Sequence, residues 1–123
     1  MGRKQRDKAK DAVAITRVAV GAGTWIAPNL SGRLFGLDPE GNPQLPYVGR
    51  LFAVRDFVLG AGVLRSSRKQ KDAWLMAGVA CDVADAAAGV LAGARGTLPP
   101  AAAAMVTATA GTFAVFGYWL LQQ

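Results

Sequence analysis

Four long apolar stretches, joined by polar turns, constrain the fold of this chain more than any other feature. They cover residues 12–27, 46–64, 72–94 and 100–121. An α-helix needs about 20 residues to cross the hydrocarbon core of a bilayer, and each stretch is near that length. The last stretch contains no charged residue, so nothing in it opposes insertion. The pattern predicts an all-α fold, specifically a four-helix transmembrane bundle, with a soluble four-helix bundle as the alternative.

The lysines and arginines predict how the helices are oriented. Five lie in segment 1–11 and four in segment 65–71, whereas Arg33 and Arg95 are alone in the other two connections. Cytoplasmic loops carry an excess of Lys and Arg, so the rich segments are assigned to the cytoplasm. We therefore expect a basic cytoplasmic tail (1–11) and a single four-span domain (12–121) in the inner or plasma membrane. Both termini would be cytoplasmic.

Composition argues against several classes of function. The chain has no histidine, and Cys81 is its only cysteine, which excludes an intrachain disulfide, histidine acid–base chemistry and Cys/His metal sites. The net charge of +6 is concentrated beside the apolar stretches rather than along a basic surface with interleaved aromatic rings. We expect no catalytic residue, metal or cofactor and no nucleic-acid partner. The expected partners are the lipid bilayer and either a homo-oligomer or a larger membrane complex.

Charged residues interrupt two of the apolar stretches. Arg55 and Asp56 lie midway along the second, and Asp82 and Asp85 lie midway along the third. Each charge costs about 2.5–3.5 kcal/mol at the centre of a membrane helix. Neither stretch would insert well alone, so these side chains are predicted to meet partners inside the bundle.

Equal distance from the intervening turn predicts which of these charges pair. In an antiparallel hairpin, Arg55 and Asp82 lie at the same depth, so we expect an ion pair between them near the bilayer midplane. Arg17, in the first stretch, either extends to the cytoplasmic surface or reaches inward to a surplus carboxylate. With Arg50, which we expect to extend outward, the arginines would balance the aspartates in the membrane.

Glycines in the second and third stretches predict close helix packing. Gly89-x-x-x-Gly93 is a spacing that lets membrane helices approach closely. Gly60 and Gly62 in the second stretch would ease the approach of the third. The residues predicted to share the packing face of the third helix are Gly78, Asp82, Asp85, Gly89 and Gly93.

The charge cluster has two interpretations. Arg55 and Asp82 could be a structural pair that fixes helix register, as in a non-enzymatic accessory or interaction module. Alternatively, Arg17, Arg55, Asp56, Asp82 and Asp85 form a functional site. The protein would then be a small, oligomeric, proton-coupled transporter or a carrier that binds a polar headgroup. A membrane enzyme acting on lipid or quinone is a third hypothesis, but no nucleophile or metal set supports it.

Three short motifs resemble a known family. The chain is similar to small four-helix bacterial membrane proteins of unknown function that are broadly DoxX-like, over residues 12–121. The resemblance implies a four-span membrane protein and implies no established activity or catalytic residue. The motifs that carry it are Gly49-Arg50-Leu51-Phe52-x-x-Arg55-Asp56-x-x-Leu59-Gly60, Cys81-Asp82-x-x-Asp85-Ala86 and Arg33-Leu34-Phe35-Gly36-Leu37.

Overall fold

A computed structural model describes all 123 residues, and it is all-α. Four long helices and one short helix follow one another along the chain, which confirms the predicted all-α class. They are α1 (Arg3–Ile26), α2 (Pro28–Leu34), α3 (Leu45–Arg65), α4 (Arg68–Ala94) and α5 (Pro100–Gln122).

Several helix boundaries differ from those predicted. Helix α1 begins at Arg3, so the expected boundary at residue 11 lies inside a continuous helix. Helix α4 begins at Arg68, with Ser67 in the N-cap position, four residues before the predicted start of the third stretch at Asp72. Helix α2 lies in the connection between the first and second apolar stretches, where no helix was predicted. Proline at its first position is compatible with helix, because that N–H would have no intrahelical partner.

Helices α1 and α3 form one tightly packed antiparallel pair. Gly21 of α1 lies against the backbone of α3, where an added Cβ would be 2.6 Å from the Ala53 carbonyl oxygen. Gly60 of α3 lies against α1, where a Cβ would be 2.5 Å from the Ala14 carbonyl oxygen. The expectation that Gly60 faces the following helix was therefore wrong, because its open side is occupied by the α1 backbone.

Helices α4 and α5 form the second tight pair. Gly89 and Gly93 of α4 face α5, and a Cβ at Gly89 would be 2.5 Å from Thr107 Oγ1. Gly117 of α5 faces α4 in return. The Gly89-x-x-x-Gly93 spacing therefore does mark a close helix contact, but with α5 rather than with α3. Gly62 lies against Trp74 and is the glycine that faces from α3 to α4.

One end of the molecule is closed by packing and by salt bridges. Ala14, Val63 and Leu75 form a buried cluster, against which Trp74 and Leu121 pack. Beyond this cluster, the first turns of α1 are tied to α4 by three ion pairs. These are Lys10–Asp72 at 2.8 Å, Asp11–Lys71 at 2.7 Å and Asp7–Arg68 at 3.2 Å.

Two of the long helices, α4 and α5, are long and apolar enough to cross a membrane. Helix α1 begins within the basic segment at Arg3, and α3 carries more charge within one span length than α4 or α5 does. The charged residues of α3 are Arg50, Arg55 and Asp56, with Arg65 at its end. Length and composition therefore support two of the four predicted spans, and this is weak evidence for membrane association.

Candidate functional site

Arg17 is the centre of the buried charge cluster. From α1 it donates two hydrogen bonds to Asp82 of α4, one of them from Nη1 to Oδ1 at 3.1 Å. The same Nη1 lies 3.4 Å from Oδ1 of Asp56 on α3. All three residues are buried: Arg17 and Asp56 are each 7 % exposed, and Asp82 is 5 % exposed. One guanidinium thus links three helices in the protein interior.

Gly78 makes room for this guanidinium. It lies one turn before Asp82 on α4, and an added Cβ would be 3.0 Å from Arg17 Nη2. On the opposite side, the ring of Phe113 from α5 lies 5.4 Å from Arg17 Cζ, within cation–π range. All four long helices therefore contribute to the surroundings of Arg17. Gly78 was predicted to serve helix packing, and here its contact is with a side chain.

Arg55 pairs with Asp85, so the predicted Arg55–Asp82 pair was wrong. Arg55 Nη2 donates to Asp85 Oδ2, and the two side chains are 36 and 26 % exposed. Equal depth did not decide the pairing, because Asp82 and Asp85 point about 60° apart around the axis of α4. Asp82 points to α1 and Asp85 to α3. Arg55 also stacks on Phe52, 5.1 Å from the ring centre.

Arg50 does not belong to the cluster, in agreement with its predicted position near the outer end of α3. Its Nε donates to the Trp25 carbonyl oxygen at 3.0 Å, and its guanidinium lies over the Trp25 ring. The expected charge balance nevertheless fails. Two guanidiniums face three carboxylates, which leaves one surplus negative charge.

A cavity of about 550 Å³ lies directly on this cluster. It extends from mid-bundle to the end of the molecule where α2 and the α4–α5 connection lie, and residues of all five helices line it. Arg17, Asp56, Asp82 and Asp85 form its polar floor. Its apolar walls include Val20, Val48, Phe52, Val106 and Phe113.

Small hydroxyl side chains lie further up the cavity. Thr24 Oγ1 donates to Ser31 Oγ at 3.1 Å, which links α1 to α2, and Thr97 lines the same end. A second groove of about 330 Å³ lies outside, between α1 and α3, and six of its seven lining residues are hydrophobic. Without a convergent polar group, this outer groove has little to orient a ligand.

The five predicted cluster residues all form ion pairs, in two groups, Arg17 with Asp56 and Asp82, and Arg55 with Asp85, but the sequence did not reveal the cavity or its walls. Arg17 takes the inward option of the two predicted for it. Phe113 and Val106 lie on the uncharged helix, where no local pattern distinguishes a cavity wall from any other apolar position. Their role follows only from the gap between the α1–α3 and α4–α5 pairs.

Comparisons with protein-family models, with curated proteins and with solved structures find no match to this chain. The resemblance to DoxX-like membrane proteins therefore stays a prediction.

Proposed function

We propose that this chain is a four-span integral membrane protein whose interior cavity binds a small amphipathic molecule without altering it chemically. The observation that carries the proposal is the union of a large apolar-walled cavity with a buried, highly polar floor. Ligand sites are typically of this kind, because apolar walls supply affinity and a few convergent polar groups supply orientation.

The distribution of side chains supports the membrane part of the proposal. Arg17, Asp56 and Asp82 are buried, whereas Val115 is 72 % exposed and Val90 is 59 % exposed. Contiguous exposed apolar surface is costly in water and ordinary in lipid. Intramembrane charges, in turn, face the bundle interior and pair there.

Exposed aromatic side chains support the same assignment. Trp25 and Tyr47 lie at one end of the bundle, and Tyr118 and Trp119 lie at the other. Trp and Tyr favour the two interfaces between membrane and water, because their rings have an apolar body and a polar tip. Two such groups at opposite ends fit a molecule that crosses the bilayer.

The closed end of the bundle favours a binding module over a transporter. Below the charge cluster, the packing of Ala14, Val63 and Leu75 and the three ion pairs hold the helices together. A carrier would need a second conformation in which these contacts separate. Transport and a non-enzymatic accessory role within a membrane complex remain the alternatives.

Cavity filling tests the proposal. Ala92 of α4 lines the cavity and is half-buried, whereas Ala87 of the same helix is exposed and does not line it. The unfolding temperature of the purified protein is measured with and without each of three matched probes. These are 4-phenylbutylamine, 4-phenylbutan-1-ol and 4-phenylbutanoate. At least one should stabilise the parent, since a ligand that binds only the folded state raises its stability.

Ala92→Phe should abolish this stabilisation, because the added ring occupies the cavity, and Ala87→Phe should retain it. If no probe stabilises the parent, or if both variants respond as the parent does, the cavity is not a ligand site. Reconstitution into vesicles with one bound probe inside tests the transport alternative. Efflux that depends on the protein would favour a carrier.

A further inference from the structure

We infer that the ligand is a hydrophobic ammonium ion, an amine on an apolar body, whose positive charge is held by Asp56. This inference rests on the proposed function and specifies its ligand class. It follows from the unequal hydrogen bonding of the three carboxylates by the two guanidiniums of the cluster.

Asp56 is the least satisfied carboxylate of the cluster. Arg17 commits two hydrogen bonds to Asp82, and Arg55 donates to Asp85. Asp56 receives a single hydrogen bond, from Arg17 Nη1 at 3.4 Å, and that nitrogen is shared with Asp82. A buried carboxylate ordinarily needs full pairing, since burying an uncompensated charge is expensive.

Apart from Arg17 and Arg55, whose hydrogen bonds go mainly to the other two carboxylates, no positively charged group lies near Asp56. Helix α5, which closes the cavity from the other side, carries no charged residue. Arg50 is engaged with Trp25 near the outer end of α3. The surplus negative charge therefore faces the cavity, where an ammonium group on a ligand would be the natural counter-ion.

The walls indicate the rest of the ligand. Asp56 lies on the cavity floor, and Phe52, one turn away on the same helix, belongs to the apolar wall together with Val20 and Val48. The alkyl or aryl part of a ligand would pack against these side chains and leave contact with water or lipid chains. A carboxylate ligand would place a fourth negative charge beside three, which electrostatics disfavours.

The matched probes separate charge recognition from cavity binding. Dissociation constants of 4-phenylbutylamine, 4-phenylbutan-1-ol and 4-phenylbutanoate are measured by titration calorimetry on the full chain in detergent. We expect the amine to bind about 10-fold or more tightly than the alcohol, as for one hydrogen bond to a charged group, and the carboxylate to bind least.

Asp56→Asn keeps the shape of the side chain and removes its charge. The dissociation constants of the amine and the alcohol should then lie within about 2-fold of each other, since two guanidiniums would face two carboxylates. Asp38→Asn makes the same chemical change in the α2–α3 loop, outside the cavity, and should keep the preference of the parent for the amine.

Each outcome bears on a distinct statement. Equal affinity of the parent for amine and alcohol overturns the ammonium inference and leaves the cavity as a ligand site. An amine preference that survives Asp56→Asn overturns the role of Asp56. Binding of none of the probes by the parent defeats the proposed function itself. Because the parent comparison needs no variant, the inference stays testable even if Asp56→Asn fails to fold.

Discussion

At the scale of single residues, Arg17 determines how the charged interior is organised. Its guanidinium contacts carboxylates from two other helices and lies between Gly78 and the ring of Phe113. Removing one partner of a buried pair is costly, because the other charge stays buried without compensation. Stability should therefore depend on Arg17 far more than on the exposed arginines.

Arg17→Gln should lower the free energy of unfolding by about 3–5 kcal/mol, because Asp82 and Asp56 both lose their cation. The measurement is denaturant unfolding of the purified protein in detergent. Arg50→Gln is the matched control, since that side chain contacts no carboxylate and interacts only with the carbonyl and ring of Trp25 at the outer end. Equal losses for the two variants would contradict a central role for Arg17.

Asp82 and Asp85 should differ although they are one turn apart. Asp82→Asn removes a buried carboxylate that accepts two hydrogen bonds from Arg17, and Asp85→Asn removes a partly exposed one that accepts one from Arg55. We expect the first to lower the unfolding temperature more than the second. The reverse order in parallel thermal melts would show that the Arg55–Asp85 pair is the more important of the two.

At the scale of the helices, glycines define two seams and leave a gap between them. Gly21 and Gly60 bring α1 against α3, and Gly89, Gly93 and Gly117 bring α4 against α5. Close backbone approach is the main source of association between helices in lipid, where no hydrophobic force acts between them. The cavity lies between these two tight pairs and is lined by residues of both.

Gly60→Ala tests the α1–α3 seam. The new Cβ would lie 2.5 Å from the Ala14 carbonyl oxygen, so the backbones must separate, and overpacking of this kind costs about 1–3 kcal/mol. Gly111→Ala is the control, because no atom lies within 4 Å of its Cβ position. The control should be neutral or gain up to about 1 kcal/mol from helix propensity. If Gly60→Ala and Gly111→Ala had the same unfolding temperature, close packing of α1 against α3 at Gly60 would not contribute to stability.

At the scale of the whole molecule, the bundle is packed at one end and hollow at the other. The packed end holds both termini and the α3–α4 turn, where the basic residues are concentrated. The hollow end holds α2 and the α4–α5 connection. If the basic end is cytoplasmic, as the positive-inside rule predicts, the cavity faces the outer half of the membrane.

Cysteine labelling tests this orientation. In a Cys81→Ser background, Ser67→Cys lies in the α3–α4 turn and Glu40→Cys lies in the α2–α3 loop. A membrane-impermeant maleimide added to intact cells should label position 40 and spare position 67, and the pattern should reverse in inverted vesicles. Labelling of both positions from the same side would disprove the four-span topology.

Local sequence was sufficient for the class of the fold and most of the helices. Apolar runs bounded by prolines and polar turns predicted the all-α class and the extents of α3 and α5 to within one residue at each end. The sequence also singled out the charged residues that meet, because a charge within an apolar run must find a partner. These predictions succeed because each depends only on residues that are close together in the sequence.

Only the tertiary structure decided which charge meets which, and where the cavity lies. Depth along a helix can be counted from a turn, but the direction of a side chain depends on how each helix is rotated against its neighbours. Asp82 therefore points to Arg17 rather than to Arg55, and Gly60 faces α1 rather than α4. The cavity is a gap between two helix pairs, and a gap belongs to no single segment of sequence.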